Sequence, residues 1–149
     1  MTEILFYHLE RQSLEQVLPQ LVSKCIERDW PTLIVTISDE RLDVLDSQLW
    51  TYSDQSFLAH GKVGDGDDAE QPVLLSTSDD PLNKAEVCFL VDGATTDKTS
   101  EFNRIVHLFD GRQEAAVEAA RDAWKALDRE ANEVTYWQQD GSGQWVKKA

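Results

Sequence analysis

Two aspartates, Asp92 and Asp110, each follow an apolar run and precede a glycine. Each run predicts a strand, and open parallel sheets bind ligands beyond the carboxyl ends of their strands. Two carboxylates at that edge could hold Mg²⁺ or share acid–base chemistry, which is the chemistry of a metal-dependent phosphate-ester hydrolase. Asp-Gly is also a turn sequence, and no lysine, arginine or nucleophile follows in a recognisable pattern. Turn formation is therefore the simpler interpretation, and the hydrolase is carried as the alternative function.

A second group of candidates lies on an alanine-rich segment that predicts a helix from about Arg112 to Glu130. On a helical wheel, Arg121 and Lys125 lie one turn apart beside a partly apolar strip with Trp124 and Val117 at its edge. The face that should pack on the sheet consists of Ala116, Ala120, Ala123 and Leu127. Two cations beside an indole suit a short peptide that ends in an aromatic residue and a free carboxylate. Charge-assisted hydrogen bonds to such a carboxylate contribute ~1.5–3 kcal/mol each.

That helix surface also has a purely structural interpretation. Asp122 and Asp128 are placed to pair with the two bases, which would leave a solvated helix shoulder without a binding role. The wheel alone does not separate the two possibilities.

Other catalytic and cofactor signatures are missing from the sequence. The turn after the first apolar run, residues 8–13, contains no glycine, so it carries neither a dinucleotide nor a triphosphate fingerprint. The histidines His8, His60 and His107 do not have metal-ligand spacing. Cys25 and Cys88 form no CxxC motif and are expected to be two buried thiols. We expect no cofactor and no metal.

The apolar periodicities predict alternating strands and helices that would position these candidates. Strands are predicted over 3–9, 32–37, 71–76, 85–91, 104–109, 134–139 and 144–146. A first helix should begin at a Ser13–Gln16 capping box, with Pro19 either kinking it or shifting its start, and should end before Pro31. A second helix, capped by Ser38, should end at Trp50. Residues 51–71 are predicted to be mostly loop. The alternation predicts one α/β domain over 1–149, three layers with a mostly parallel central sheet flanked by helices.

The charge of the chain is large and uneven. Net charge is −14, which argues against direct strong binding of nucleic acid. Residues 1–103 hold 7 basic and 20 acidic residues, whereas residues 104–149 hold 7 and 8, so an anionic partner is expected to prefer the C-terminal third. Neither a bilayer-spanning run nor an N-terminal signal pattern is present, so no membrane association and a cytoplasmic location are expected.

Several segments, in order along nearly the whole chain, resemble the chi subunit family of DNA polymerase III. They are Phe6–Leu9, Leu49–Tyr52, Ser56–Gly61, Gln71–Leu75, Ala85–Gly93 and Ala119–Lys125 leading into the strand 134–139. The resemblance implies a Rossmann-like fold without a nucleotide and an accessory subunit of the clamp-loader assembly without catalytic activity of its own.

It also implies two partners. One is the psi subunit, which links chi to the clamp loader; no compact motif identifies its binding surface here. The other is the acidic C-terminal tail of single-stranded-DNA-binding protein. By motif match, Arg121, Trp124 and Lys125 would receive the tail's carboxylate and aromatic residue, with Val117 at the pocket floor. Trp124 stands where the family often has tyrosine, and the segment after Tyr136 is longer than in some members.

Overall fold

The computed structural model describes residues 2–10, 12–50, 60–64 and 66–149, and of Trp50 only the backbone. Within them lie eight strands and three helices: β1 (Thr2–Leu9), α1 (Leu14–Glu27), β2 (Thr32–Val35), α2 (Asp39–Trp50), β3 (Gly61–Lys62), β4 (Val73–Ser76), β5 (Val87–Leu90), β6 (Arg104–Asp110), α3 (Glu114–Ala126), β7 (Asn132–Gln139) and β8 (Trp145–Lys147). The loop predicted over 51–71 contains the short strand β3, and its part from 51 to 59, with most of the Ser56–Gly61 motif, lies outside the described residues.

The strands form one sheet in the order β3-β4-β2-β5-β6-β1-β7-β8. Every neighbouring pair is parallel except β7 and β8, which form the antiparallel hairpin predicted at the C-terminus. β1 lies between β6 and β7, so that Phe6 is opposite His107 on one side and Tyr136 on the other. The predicted mostly parallel sheet is confirmed.

Helices cover both faces of this sheet and enclose a separate core on each. On one face, α1 and α2 contact each other and contribute Leu18 and Leu45 to the first core. On the other face, α3 contributes Ala120 to a second core built around Phe6 and Ile105. Central strands such as β2 are buried on both sides, which explains their continuous apolar sequence. The three-layer α/β architecture is therefore confirmed.

The start of α1 follows the predicted capping box. The backbone N–H of Ser13 donates to the Gln16 side chain at 2.9 Å, and Ser13 lies in an extended conformation before the first helical residue. Pro19 is buried inside the helix, so it does not shift the helix start. The helix ends four residues before Pro31, as predicted.

Several element ends differ from the prediction, and two of these differences concern residues near the candidate sites. β2 stops at Val35; beyond it the hydroxyl of Thr36 donates to Asp92 at 2.6 Å, and Ile37 turns outward with 62% exposure. α3 stops at Ala126 instead of continuing to Glu130. The backbone of Leu127 is extended, and the Asp128 carboxylate accepts the N–H of Glu130 at 2.8 Å, which closes a turn into β7.

Cys25 and Cys88 are both buried free thiols, as the sequence predicted. Burial raises the pKa of Cys88 to about 12, so its thiol stays protonated at neutral pH. Among the described residues, no helix has the length and apolar character needed to cross a membrane.

Candidate functional site

The four residues predicted to bind a peptide lie along one stripe of α3. Val117, Arg121, Trp124 and Lys125 are separated by four, three and one residues, which brings them to neighbouring positions on a helix. Ala116, Ala120 and Ala123 of the same helix face the sheet, and Ala120 is buried there. The small side chains let α3 lie close to the sheet, so the larger residues stand at the edge of this contact.

Trp124 is anchored between the helix and the sheet. Its indole meets the ring of Phe6 at a centroid distance of 5.5 Å and that of Tyr136 at 5.8 Å, both edge to face. Such contacts favour one ring orientation and contribute ~0.5–1.5 kcal/mol each beyond area burial. The indole is half-buried, so one part of it is fixed by the core while another part remains exposed at the surface of α3.

Arg121 and Lys125 are exposed and point their charge at solvent. Neither forms an ion pair within the part of the chain that the structure describes. The alternative in which Asp122 and Asp128 neutralise them is not observed: Asp128 instead accepts backbone N–H groups of the turn after α3. Two cations that the described residues leave without an ion pair therefore lie on the helix surface beside the indole.

Arg129 is a third cation at this site, and the sequence analysis missed it. Its guanidinium carbon lies 4.6 Å from the centroid of the Trp124 ring, and its Nη1 donates to the carbonyl of Leu127 at 2.9 Å. A helix continued to Glu130 would have turned Arg129 away from Trp124. The signal that could have revealed it is Asp128 followed by Asn132, since aspartate favours the turn that ends the helix.

A polar cluster behind the stripe connects it to β1. The hydroxyl of Tyr136 and Nδ1 of His8 are 2.7 Å apart, and the Glu10 carboxylate lies 3.2 Å from Nε2 of His8, outside hydrogen-bond alignment. Burial lowers the pKa of His8, and the charge of Arg121 lowers it further. The carboxylates of Glu10 and Asp110 act in the opposite direction, but the net shift is downward. Burial likewise raises the pKa of Tyr136, and Arg121 opposes that rise. Arg121 thus acts electrostatically on the residues that hold Trp124 in place.

Gly111 permits the position of His8. A Cβ at residue 111 would lie 1.8 Å from Nε2 of His8 and 2.8 Å from the carbonyl oxygen of Leu9. Only glycine lets the chain after β6 pass this close to the imidazole. The glycine that the sequence placed in an Asp-Gly turn therefore has a packing role as well.

Asp92 and Asp110 meet, as predicted, at the carboxyl end of the sheet. Both line a cleft of about 590 Å³, together with the N-terminal residues of α1 and α3. Asp92 accepts from the Thr36 hydroxyl at 2.6 Å and from Nε and Nη2 of Arg41 at 3.0 and 3.1 Å. Arg41 also bridges to Glu15 at 2.8 Å, so the lone pairs of Asp92 are largely committed to protein donors.

Asp110 is committed to its own turn. Its carboxylate accepts the backbone N–H of Arg112 at 2.9 Å and Nε of the same residue at 3.1 Å. Burial pushes the pKa of Asp110 upward, but these hydrogen bonds outweigh it and the net shift is downward. In the described ranges, no three His, Cys, Asp or Glu residues cluster to hold a metal ion. The geometry favours the turn interpretation over the phosphate-ester hydrolase.

Two comparisons with known proteins agree with this architecture. The family model described as DNA polymerase III chi subunit, HolC, matches residues 1–135, which leaves the end of β7 and all of β8 beyond the match. A protein of Rickettsia prowazekii (strain Madrid E), named "Probable DNA polymerase III subunit chi", is 24% identical over 109 residues. These residues are 73% of this chain and 66% of that protein, so the chain spans less than two thirds of its relative's length. Because the family model covers most of the sequence, the chain belongs to the DNA polymerase III chi subunit family.

Proposed function

We propose that this protein is a non-catalytic accessory subunit in DNA replication that binds the acidic C-terminal tail of single-stranded-DNA-binding protein. The observation that supports it most directly is the pair of exposed cations Arg121 and Lys125, which form no ion pair among the described residues and lie on the helix surface beside a half-buried indole. Membership of the chi family supports the role in replication.

In this proposal each residue of the stripe has a distinct role. Arg121 and Lys125 bind the terminal carboxylate of the tail, and arginine is suited to a planar two-bond contact with it. Trp124 packs against the aromatic residue of the tail, and Val117 provides an apolar contact one turn away. Because Phe6 and Tyr136 already fix the indole, little side-chain entropy is lost when the peptide binds. Arg129 adds a positive charge that would attract the acidic residues before the tail's end.

The test is calorimetric titration with a synthetic peptide that has several aspartates and ends in an aromatic residue with a free carboxylate. Arg121→Glu should weaken binding at least tenfold, because it replaces the attraction with repulsion at the carboxylate. Lys84→Glu, which makes the same charge change at an exposed position near β5, is the matched control and should change affinity little. A C-terminally amidated peptide should also bind weakly to the unmodified protein.

Salt provides a second readout of the same contact. Exposed charges are screened over ~10 Å at 0.1 M ionic strength, so affinity should fall as salt rises. An Arg121→Glu variant that binds the peptide as tightly as the unmodified protein would remove the site from α3. An affinity independent of salt would show that the contact is mainly apolar.

The second partner in the proposal is the psi subunit, through which the protein would be tied to the clamp loader. Its surface should be separate from α3, so Arg121→Glu should still co-purify with psi from the same organism. Failure of the unmodified protein to co-purify with psi would contradict this part of the proposal alone.

A further inference from the structure

A second group of cations lines a recess on the opposite face of the sheet from α3. The recess has a volume of about 220 Å³ and opens beside the C-terminal half of α1. Three basic residues line it, Lys24 and Arg28 from the end of α1 and Arg104 from the start of β6. We call these three residues and Trp30 the Trp30 pocket.

Among the residues that the structure describes, no aspartate or glutamate lines this recess. Lys24 and Arg28 form no ion pair with any residue that the structure describes, whereas Arg104 contacts Glu3 at 3.1 Å. The acidic Glu3 and Glu86 line a neighbouring recess that also borders Trp30. The expectation that anions prefer the C-terminal third therefore misses a recess lined by three cations, two of which come from the acidic two thirds of the chain.

Trp30 organises the cations. The guanidinium carbons of Arg28 and Arg104 lie 5.0 and 5.1 Å from the centroid of its ring. Cation–π contacts of this kind contribute ~0.5–1 kcal/mol at exposed sites and restrain the side chains before a ligand arrives. Lys24 and Arg28 also complement the negative end of the α1 dipole. That role does not account for Arg104, because this residue belongs to β6 and still contacts the ring of Trp30.

The floor of the recess is apolar. It is formed by Leu21 of α1 and by Val87, Phe89 and Val106 of the sheet, with the ring of Tyr7 at one side. The volume is below the ~300–1,000 Å³ typical of small-molecule pockets, so it fits one or two side chains better than a nucleotide. The two guanidiniums at Trp30 would also compete with a stacking base.

We propose that the Trp30 pocket binds an acidic segment of a protein partner. A side-chain carboxylate contacts Arg28 and Lys24, and a neighbouring apolar side chain of the partner occupies the floor. Because α1 and α3 cover opposite faces of the sheet, this contact is independent of the tail site and can be occupied at the same time.

The probe is the blocked peptide acetyl-Asp-Leu-Asp-Phe-Asp-amide, titrated into the full-length ¹⁵N-labelled protein. The indole N–H signal of Trp30 is assigned with Trp30→Phe. We expect a saturable shift of that signal, absent when the three aspartates of the peptide are replaced by asparagine. Arg28→Glu and the milder Arg28→Gln should both weaken this binding, the first at least tenfold, while Arg121→Glu leaves it unchanged.

Lys84→Glu again serves as the control for total charge, and circular dichroism checks that each variant is folded. The proposal is overturned if the Trp30 signal shows no saturable shift, or if Arg28→Glu weakens binding no more than Lys84→Glu. If an eight-nucleotide oligothymidylate bound the pocket more tightly than the peptide, the proposal would be overturned and the pocket would be a nucleic-acid site instead. Loss of tail binding at α3 would not affect these outcomes, so the two proposals fail separately.

Discussion

The indole of Trp124 meets two core rings, those of Phe6 and Tyr136, and one guanidinium, that of Arg129. Sequence periodicity predicted that Trp124 lies beside Arg121 and Lys125, because that relation depends only on helical geometry. It did not predict the rings behind the indole, since Phe6 and Tyr136 come from strands far apart in the chain. The sequence therefore predicted the residues of the stripe on α3 but not the core residues that hold Trp124 from behind.

His107 provides a prediction about pH at the residue scale. Its ring stacks on Phe6 at 4.4 Å with an angle of 2°, and burial lowers its pKa to about 4. The unfolded chain takes up a proton on this residue near pH 6.5, whereas the folded protein does so only near pH 4. Its contribution to the free energy of unfolding is thus complete above about pH 6.5. As the pH falls from 6.5 to about 4, the free energy of unfolding decreases by about 1.4 kcal/mol per pH unit.

Urea unfolding at pH 7 and pH 5 measures this effect. The free energy of unfolding should fall by about 2 kcal/mol from His107, with a further loss from His8, whose pKa is also lowered. His107→Leu should remove most of the first contribution, so that the variant loses less stability than the unmodified protein over the same interval. Equal losses in the two proteins would mean that folding does not lower the pKa of His107, so that its ring is already protonated at pH 5 in the folded state.

The end of α3 shows why element boundaries limit what a sequence can predict. Residues 127–130 include good helix formers, so local propensity favours continuing the helix. The helix ends where Leu127 packs against the second core with an extended backbone, a tertiary contact that acts together with the local turn at Asp128. Arg129 then returns over Trp124. The same limit applies to the Trp30 pocket, where Arg28 and Arg104 meet through sheet topology and not through any local spacing.

Asp128→Ala tests the link between this turn and the site. Removing the carboxylate that accepts the N–H of Glu130 should destabilise the turn by about 1 kcal/mol, the usual cost of losing such a cap. It should also move Arg129 away from the indole and weaken tail-peptide binding by a few-fold. Asp122→Ala removes the same charge from an exposed position on α3 and is the matched control. If both variants bind the peptide equally, the turn does not position Arg129 for binding.

At the scale of the whole molecule, a chain of net charge −14 carries a cationic stripe on α3 and a cationic recess beside α1, on opposite faces of one sheet. Composition alone predicted that the average surface repels nucleic acid and that an anionic partner would prefer the C-terminal third. The structure concentrates positive charge locally by joining elements from different parts of the sequence. Short anionic segments can use such patches, because local charges act at close range while the repulsion from distant charges is screened by salt.

The two cores should nevertheless unfold together, and we propose that residues 1–149 form a single domain. β1 supplies Leu5 and Leu9 to the core under α1 and Ile4 and Phe6 to the core under α3, so neither core can be lost without disrupting the same strand. Fluorine labels on the tryptophans give separate NMR signals for Trp30 and Trp124, one on each face. In a urea titration their midpoints should coincide with that of far-UV circular dichroism, as two-state unfolding requires. An earlier transition at Trp124 would show that α3 and the C-terminal hairpin form a separate cooperative unit, and tail binding could then be lost while the rest of the sheet stays folded.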